Sequence, residues 1–417
     1  MLLRFLHDRS ANIAPLFGLA IIPILGIVGL SIDYGRANAV KADVQAALDA
    51  TALALSKEIE SVAEKDRKTR ATEYFKGVLN RTDARVDDVS PNLKTTGTGG
   101  YELTVTASVT VPSTFAMVLR QGDLKVTGSS EVKWGMKRLE IALALDNTGS
   151  MAWSNKMGHL KTAVHNLIDQ LKKASRKPGD VKVAIIPFDT TVNIGTKSKD
   201  EPWFDIDSLD CNGWKKGSGC TNSNWKSHWE GCVRDRKYPY DVQDDAPGSK
   251  NGTLYPVHEC GSLAEALPLT NDWSKLKSKV DEMEPNGMTN VTIGLVWAWH
   301  ALTPGIPYTQ ASAPAADLDK VIILLTDGEN TEAWNNASNN KVTVASHIDN
   351  RTRLACDNVK AANIKLYTVR VIEGNASLLR ACASNPGSMY FEVSQASQLN
   401  AVFAQIYENL ASLRLSK

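Results

Sequence analysis

The 417-residue sequence predicts a mixed α/β protein: an N-terminal transmembrane helix and small α+β module, then a doubly wound, mostly parallel sheet with a disulfide-rich insertion. Three observations predict it. Ile13 to Ile32 is almost wholly apolar, with no charged side chain between Arg9 and Asp33; residues 86–137 alternate apolar with polar; and beyond Lys137 short Val/Ile/Leu runs alternate with amphipathic stretches. The length exceeds what one hydrophobic core usually organises. With 47 Lys and Arg against 46 Asp and Glu, the formal charge is +1, which gives no footing for a nucleic-acid partner.

The apolar run is long enough to cross a bilayer as a helix. Pro15 and Pro23 would be costly in a soluble helix but are tolerated within a membrane. Ala37-Asn38-Ala39 offers a signal-cleavage site, yet the run is long and Asp33, Tyr34 and Arg36 intervene, which favours an uncleaved anchor. Flanking charge does not orient it, since Arg4 and Arg9 precede the span and Arg36 and Lys41 follow. All six cysteines, Cys211, Cys220, Cys232, Cys260, Cys356 and Cys382, lie downstream without C-x-x-C spacing. An even set of this kind suggests disulfides in an oxidising compartment, with reduced buried thiols as the alternative. The disulfide reading leaves a cytoplasmic N-terminus and an extracytoplasmic bulk.

Past the span, Val40, Val44, Ala47, Leu48, Ala52 and Leu55 recur at helical spacing, so the helix continues out of the bilayer. Its narrow, alanine-rich stripe suits close packing in its own domain, or on a partner helix. "YELTVTASVTV" and "LKVTGSSEVKW" then read as antiparallel strands.

In the second module "LEIALALD", "VKVAIIPF", "KVIILLTD", "KLYTVRVI" and "SMYFEV" are strands. "MGHLKTAVHNLIDQLKKA", "DWSKLKSKVDEM", "VTIGLVWAWHAL", "RTRLACDNVKAA" and "ASQLNAVFAQIYENLASL" are helices. Continuous apolar strands between such helices make a parallel sheet covered on both faces, and ligands bind at the carboxyl ends of its strands. Asp146 and Asp327 each stand at such an end, Thr148 and Ser150 follow in "DNTGS", and Thr289 in "NGMTN" precedes a helix. These five residues supply only oxygen. They suit a hard divalent cation, Mg2+ first and Mn2+ or Ca2+ as alternatives. With two charged ligands the ion keeps net positive charge and an open position for a partner's acidic group.

The D-x-T-x-S loop with its two companion segments resembles a von Willebrand factor type A domain and its metal-ion-dependent adhesion site, usually written D-x-S-x-S. Thr148 stands where that family carries serine. The resemblance implies hydroxyl ligation by Thr148, Ser150 and Thr289, with Asp146 and Asp327 holding the metal directly or through water. The N-terminal run from Ala11 to Ala54, with "WEGCVRDR", "GMTNVTIGLVWAWHAL", "LLTDGEN" and "FAQIYENLASLRLSK", resembles TadG-like proteins of bacterial Flp/Tad pilus assembly. That resemblance divides the chain into residues 1–32, cytoplasmic tip and anchor; 33–137, a TadE/TadG-like helix and β module; and 138–417, the type A domain. It implies a single-pass inner-membrane protein that works with pilus-assembly or envelope proteins. Two further readings stay open: an adhesin that uses the same metal site, and a structural envelope protein in which the metal is unused.

Residues 195–262 are too long for an ordinary connection. They hold four cysteines, whose three possible pairings the sequence leaves open, and Trp203, Trp214, Trp225 and Trp229, expected to fill a small core of the insertion rather than anchor a partner. Cys356 and Cys382 are expected to pair. No enzyme is expected. "VHECGS" has Ser262 where the second histidine of a zinc-protease motif is required, and neither a phosphate-binding loop nor a nucleophile elbow occurs. His165 and His300 read as surface or packing residues.

Overall fold

The computed structural model of the chain describes residues 13–59, 62–95, 101–114, 122–134, 137–175, 177–206, 209, 220–221, 223–335 and 340–415. The chain forms two compact units that divide between residues 135 and 136.

The first unit is built on α1, Ile13–Ser56, an unbroken helix of 44 residues that includes Pro23. Its N-terminal half exposes Phe17, Leu19, Ile22, Leu25 and Ile27, and it is long and apolar enough to cross a membrane. Its C-terminal half buries Val40, Val44, Ala47, Leu48, Ala52 and Leu55, the residues that helical spacing singles out. They share a core with α2 (Glu64–Leu79) and the antiparallel strands β1 (Arg85–Thr95), β2 (Tyr101–Val111) and β3 (Leu124–Trp134). Gly128 lets α1 lie close on β3, because a Cβ there would stand 2.8 Å from Leu48 Cδ1. The sequence reading passed over α2, whose charged "EKDRKTR" start hides the buried row Ala71, Phe75 and Leu79.

The second unit opens with β4 (Arg138–Asp146), α3 (Lys156–Ala174) and β5 (Val181–Phe188). The insertion adds β6 (Val192–Asn193), β7 (Phe204–Asp205), α4 (Trp225–His228), β8 (Cys232–Val233) and β9 (Tyr255–His258). Then follow β10 (Leu267–Thr270), α5 (Trp273–Asp281), α6 (Val291–Leu302), β11 (Leu318–Thr326), β12 (Ala333–Asn335), β13 (Asn340–Val342) and α7 (Ala345–Ala361). The unit closes with β14 (Lys365–Val371), α8 (Ala376–Cys382), β15 (Tyr390–Val393) and α9 (Leu399–Leu415).

The main sheet runs β10-β5-β4-β11-β14-β15, parallel except for the edge strand β10. Counted along the chain, its six strands lie in the order 3-2-1-4-5-6, the doubly wound arrangement. Both faces of β4 are covered. Leu139, Ile141, Leu143 and Leu145 pack toward α3, α5 and α9, while Ala142 and Ala144, with Ala184 of β5, sit in the core that holds α6. Those alanines make room for α6, every residue of which is buried, Trp297 and Trp299 included. The sequence does not announce β10 and α8, both too short to show a period, nor the still shorter β12 and β13. Helix α7 starts earlier than "RTRLACDNVKAA", because Ile348 extends its buried face.

Cys356–Cys382 is bonded as expected, Cys232–Cys260 staples the insertion, and Cys220 is also disulfide-bonded. Cys211 and Trp214 lie outside the described residues. Trp203, Trp225 and Trp229 are buried as core residues, as expected, but the core they fill is not the insertion's own. With Phe204 they join the cluster around α6, since a segment with strands of two to four residues cannot enclose large aromatics alone.

Candidate metal centre

Register places the first two acids. Leu145 of β4 lies opposite Leu325 of β11, so Asp146 falls beside Thr326 and Asp327 follows at the same sheet edge. Thr326 Oγ1 donates to Asp146 Oδ2 at 2.5 Å. Asp146 Oδ1 accepts from the Thr148 backbone N–H at 2.8 Å and from its hydroxyl at 2.6 Å. Thr148 Oγ1 lies 3.0 Å from Ser150 Oγ, which donates to Asp327 Oδ1 at 2.6 Å. Asp146, Thr148 and Asp327 are buried.

The third segment arrives on α6. Asn290 caps that helix, its side chain accepting from the N–H groups of Thr292 and Ile293. The N–H of Thr289, just ahead of the cap, donates to Thr331 Oγ1 at 2.8 Å. Gly328 sits between the segments: a Cβ there would be 3.1 Å from Thr289 Oγ1 and 3.5 Å from Ser150 Oγ. All five residues expected from the sequence therefore gather at one edge. Ser150, Thr289 and Asp327 line an open cavity of about 420 Å3, with Met288, Glu329 and Glu373.

Burial, and after it the charge of Asp327, pushes the Asp146 carboxyl up to about 6, against the pull of the Thr148 and Thr326 hydrogen bonds. Two buried carboxylates beside three hydroxyls form a donor set that fits a hard divalent ion, whose charge would relieve that cost. Among the described residues no group of three or more His, Cys, Asp and Glu gathers, so hydroxyls carry much of this donor set.

Three residues at this edge were missed. Lys156, the first residue of α3, places Nζ 2.7 Å from Asp327 Oδ2 and 2.9 Å from Glu373 Oε2. Nothing in its spacing marks it. Asp189 follows β5, accepts from the Thr191 N–H and hydroxyl at 2.7 and 2.8 Å, and is pushed up to about 6 by burial. The rule that found Asp146 and Asp327, an acid directly at a strand end, applies equally to "IIPFD". Glu373 follows β14 and comes to the cavity only through the turn between them.

His300 is buried and packs, as expected. Its Nε2 lies 2.9 Å from the Tyr255 hydroxyl, and burial holds its titration well below the ordinary histidine range.

Asp235, in the insertion, accepts from Asn290 Nδ2 at 2.7 Å and the Trp334 N–H at 3.0 Å, yet burial pushes its carboxyl up to about 7. An unfolded aspartate titrates near 3.9, so between these values the folded state holds more protons. The stability this group contributes is fully present below about pH 4 and is lost as pH rises through about 7. Asp235→Asn should therefore be more stable than the parent at pH 8, by roughly 1–3 kcal/mol, and the difference should close toward pH 4. Urea unfolding at both pH values reads it; an equal difference at the two would refute it.

The doubly wound sheet ordered 3-2-1-4-5-6, with an Asp-x-Thr-x-Ser loop where its first strand ends, has the architecture that the resemblance to von Willebrand factor type A domains implies. Residues 11–55, which cover most of α1, match the family described as putative Flp pilus-assembly TadE/G-like. Solved structures that the chain matches include the pilus adhesin SpaC from Lactobacillus rhamnosus GG, at 14% identity and a TM-score of 0.40. That match covers 80% of this chain and 35% of SpaC, so the chain spans about a third of its length. The von Willebrand factor domain of the type V pili tip protein Mfa5 from Porphyromonas gingivalis matches at 11% identity and a TM-score of 0.42, covering 68% of this chain and 98% of that one. Proximal thread matrix protein 1 of the mussel byssus, with a zinc-occupied MIDAS motif, matches at 13% identity and a TM-score of 0.35, covering 66% and 48%. Comparison with curated proteins found no match.

Proposed function

We propose that this chain is a membrane-anchored envelope protein of Flp/Tad pilus assembly that holds a protein partner through a divalent cation. The observation that carries the reading is the convergence of Asp146, Thr148, Ser150, Thr289 and Asp327, drawn from three distant segments, at the edge of an open cavity. Thr148, Ser150 and Thr289 would offer hydroxyls and Asp146 and Asp327 carboxylates to Mg2+, or to Mn2+ or Ca2+ in its place. The bound ion would supply a positive centre for a partner's Asp or Glu. Two apolar side chains support a protein ligand over a small anion: Trp153, three residues past Ser150, is 72% exposed, and Met288 in the cavity wall is 57% exposed. Helix α1 would anchor the chain in the bacterial inner membrane with the disulfide-bonded unit in the periplasm. In this reading the protein binds and does not catalyse.

Calorimetric titration of the full chain in detergent micelles with Mg2+ tests the site. One saturable ion per chain, stripped by EDTA, is expected; the absence of any binding by the folded protein up to tens of millimolar Mg2+ would overturn it. Cell fractionation separates assembly from adhesion. Retention in the inner membrane fits the first, whereas release to the cell surface with metal-dependent attachment would replace it with the second.

A further inference from the structure

The candidate metal centre already contains a positive charge belonging to the chain. The Lys156 side chain is 3% exposed, and its ammonium lies between Asp327 Oδ2 at 2.7 Å and Glu373 Oε2 at 2.9 Å. Lysine is almost never buried this deeply without a partner. The chain reaches this position through two consecutive left-handed residues, Ser154 at φ 54° and Asn155 at φ 52°, so Lys156 is delivered by a backbone that ordinary helix entry does not require. The second acid is delivered under strain. Ile372 holds φ at 65°, rare for a β-branched residue, and the Glu373 N–H donates back to the Val371 carbonyl at 2.7 Å, which closes a γ-turn of the uncommon positive-φ kind. Gly374 at φ 95° then lies on the Gly328 backbone, where a Cβ would be 3.0 Å from the Gly328 carbonyl oxygen. Strain of this sort persists when the surroundings over-determine it, and it concentrates at binding sites. Glu373 itself is 67% exposed and has room to follow the ammonium.

We propose that Lys156 is the resident cation of the metal-free site: a divalent ion competes with its ammonium for Asp327, and Glu373 is the acceptor on which the displaced ammonium remains paired. The proposal rests on the reading of this edge as a cation site. Without metal, Lys156 leaves Asp327 neutralised instead of isolated in the interior. As metal loads, the ammonium moves toward Glu373 and cancels its charge. Glu373 lines the same cavity, so an uncancelled carboxylate there would repel the acidic group of a partner. Lys156 and Glu373 thus make the site stable when empty, modest in metal affinity, and receptive to a partner's acid only once loaded.

The test titrates Mg2+ calorimetrically into the full chain in detergent as four proteins: the parent, Lys156→Met, Glu373→Gln and the double variant. Removing a unit charge a few ångströms from a divalent ion in a partly buried site should tighten Lys156→Met at least tenfold. Glu373→Gln should weaken binding several-fold, because the displaced ammonium loses its acceptor. In the Lys156→Met background the Glu373→Gln effect should largely vanish, a coupling that simple attraction between Glu373 and the metal would not produce. Thermal unfolding adds a second readout: metal-free Lys156→Met should melt below the parent and gain more from Mg2+. If Lys156→Met does not fold without metal, Lys156→Gln, which keeps a hydrogen-bond donor, should move affinity in the same direction. Unchanged or weaker binding by the Lys156 variants, or an equal Glu373→Gln effect in both backgrounds, would overturn the proposal and leave the metal site standing. No binding by any of the four folded proteins would overturn the metal site as well.

Discussion

Asp146→Asn should lower Mg2+ affinity at least a hundredfold while leaving the second unit folded. The site offers two carboxylates, and one of them, Asp327, already shares an oxygen with Lys156. Asp146 thus supplies most of the uncompensated negative charge, and a hard cation held largely by neutral hydroxyls cannot lose it. Folding should survive because asparagine still accepts from the Thr148 N–H, which now donates to Asp146 Oδ1 at 2.8 Å. It also removes a carboxylate whose burial is costly, visible in its rise to about 6. Asp146→Ala would abolish binding too but is the poorer probe: it strands the Thr148 and Thr326 donors in the interior, at roughly 1–3 kcal/mol for each. Calorimetry with Mg2+ and thermal unfolding in EDTA, run side by side, read both halves. Parent-like Mg2+ binding by Asp146→Asn would refute the assignment, and a large fall in its melting temperature would show that Asp146 serves folding first.

The second large effect is on stability. Gly294 in α6 faces the Phe188 ring at the end of β5, and a Cβ there would stand 2.3 Å from Phe188 Cδ1 and 2.4 Å from Cγ. The root of a fully buried ring cannot swing aside. Gly294→Ala gains helix propensity, yet it should destabilise the second unit by about 2–3 kcal/mol net, because overpacking outweighs the gain. Urea unfolding measures the loss, and Phe188→Leu should relieve it: Gly294→Ala should cost less in that background than alone. Since α6 carries Thr289 just ahead of its cap, Gly294→Ala should also weaken Mg2+ binding in the folded fraction. Stability equal to the parent would mean that helix and strand have more freedom than their packing shows.

Much of this was legible in the sequence because the signals were periodic or punctual. Eight-residue runs such as "VKVAIIPF" read as parallel strands once helices alternate with them, and acids directly after three of them, Asp146, Asp189 and Asp327, mark one edge of the sheet. The row from Val40 to Leu55 was readable for the same reason. What escaped was local or relational. Leu267–Thr270 and Ala376–Cys382 are too short for a period to emerge, and α2 hides its apolar row in a charged segment. Lys156 looks like any helix-start lysine until two left-handed residues turn it inward, and Glu373 acquires meaning only from a turn whose φ no composition announces.

Helix α1 has a mechanical consequence. The residues that would cross the bilayer and those that form the core of the small module belong to one uninterrupted rod of 44 residues, roughly 66 Å long. Val40 to Leu55 are gripped by β2 and β3, and there is no loop between grip and anchor to act as a shock absorber. A load on that module would therefore pass directly into the segment proposed to cross the membrane, and pulling that segment out of lipid and tearing the module's core apart would be successive failures along a single beam. In the role proposed for this chain, such a shaft would convey load without slack.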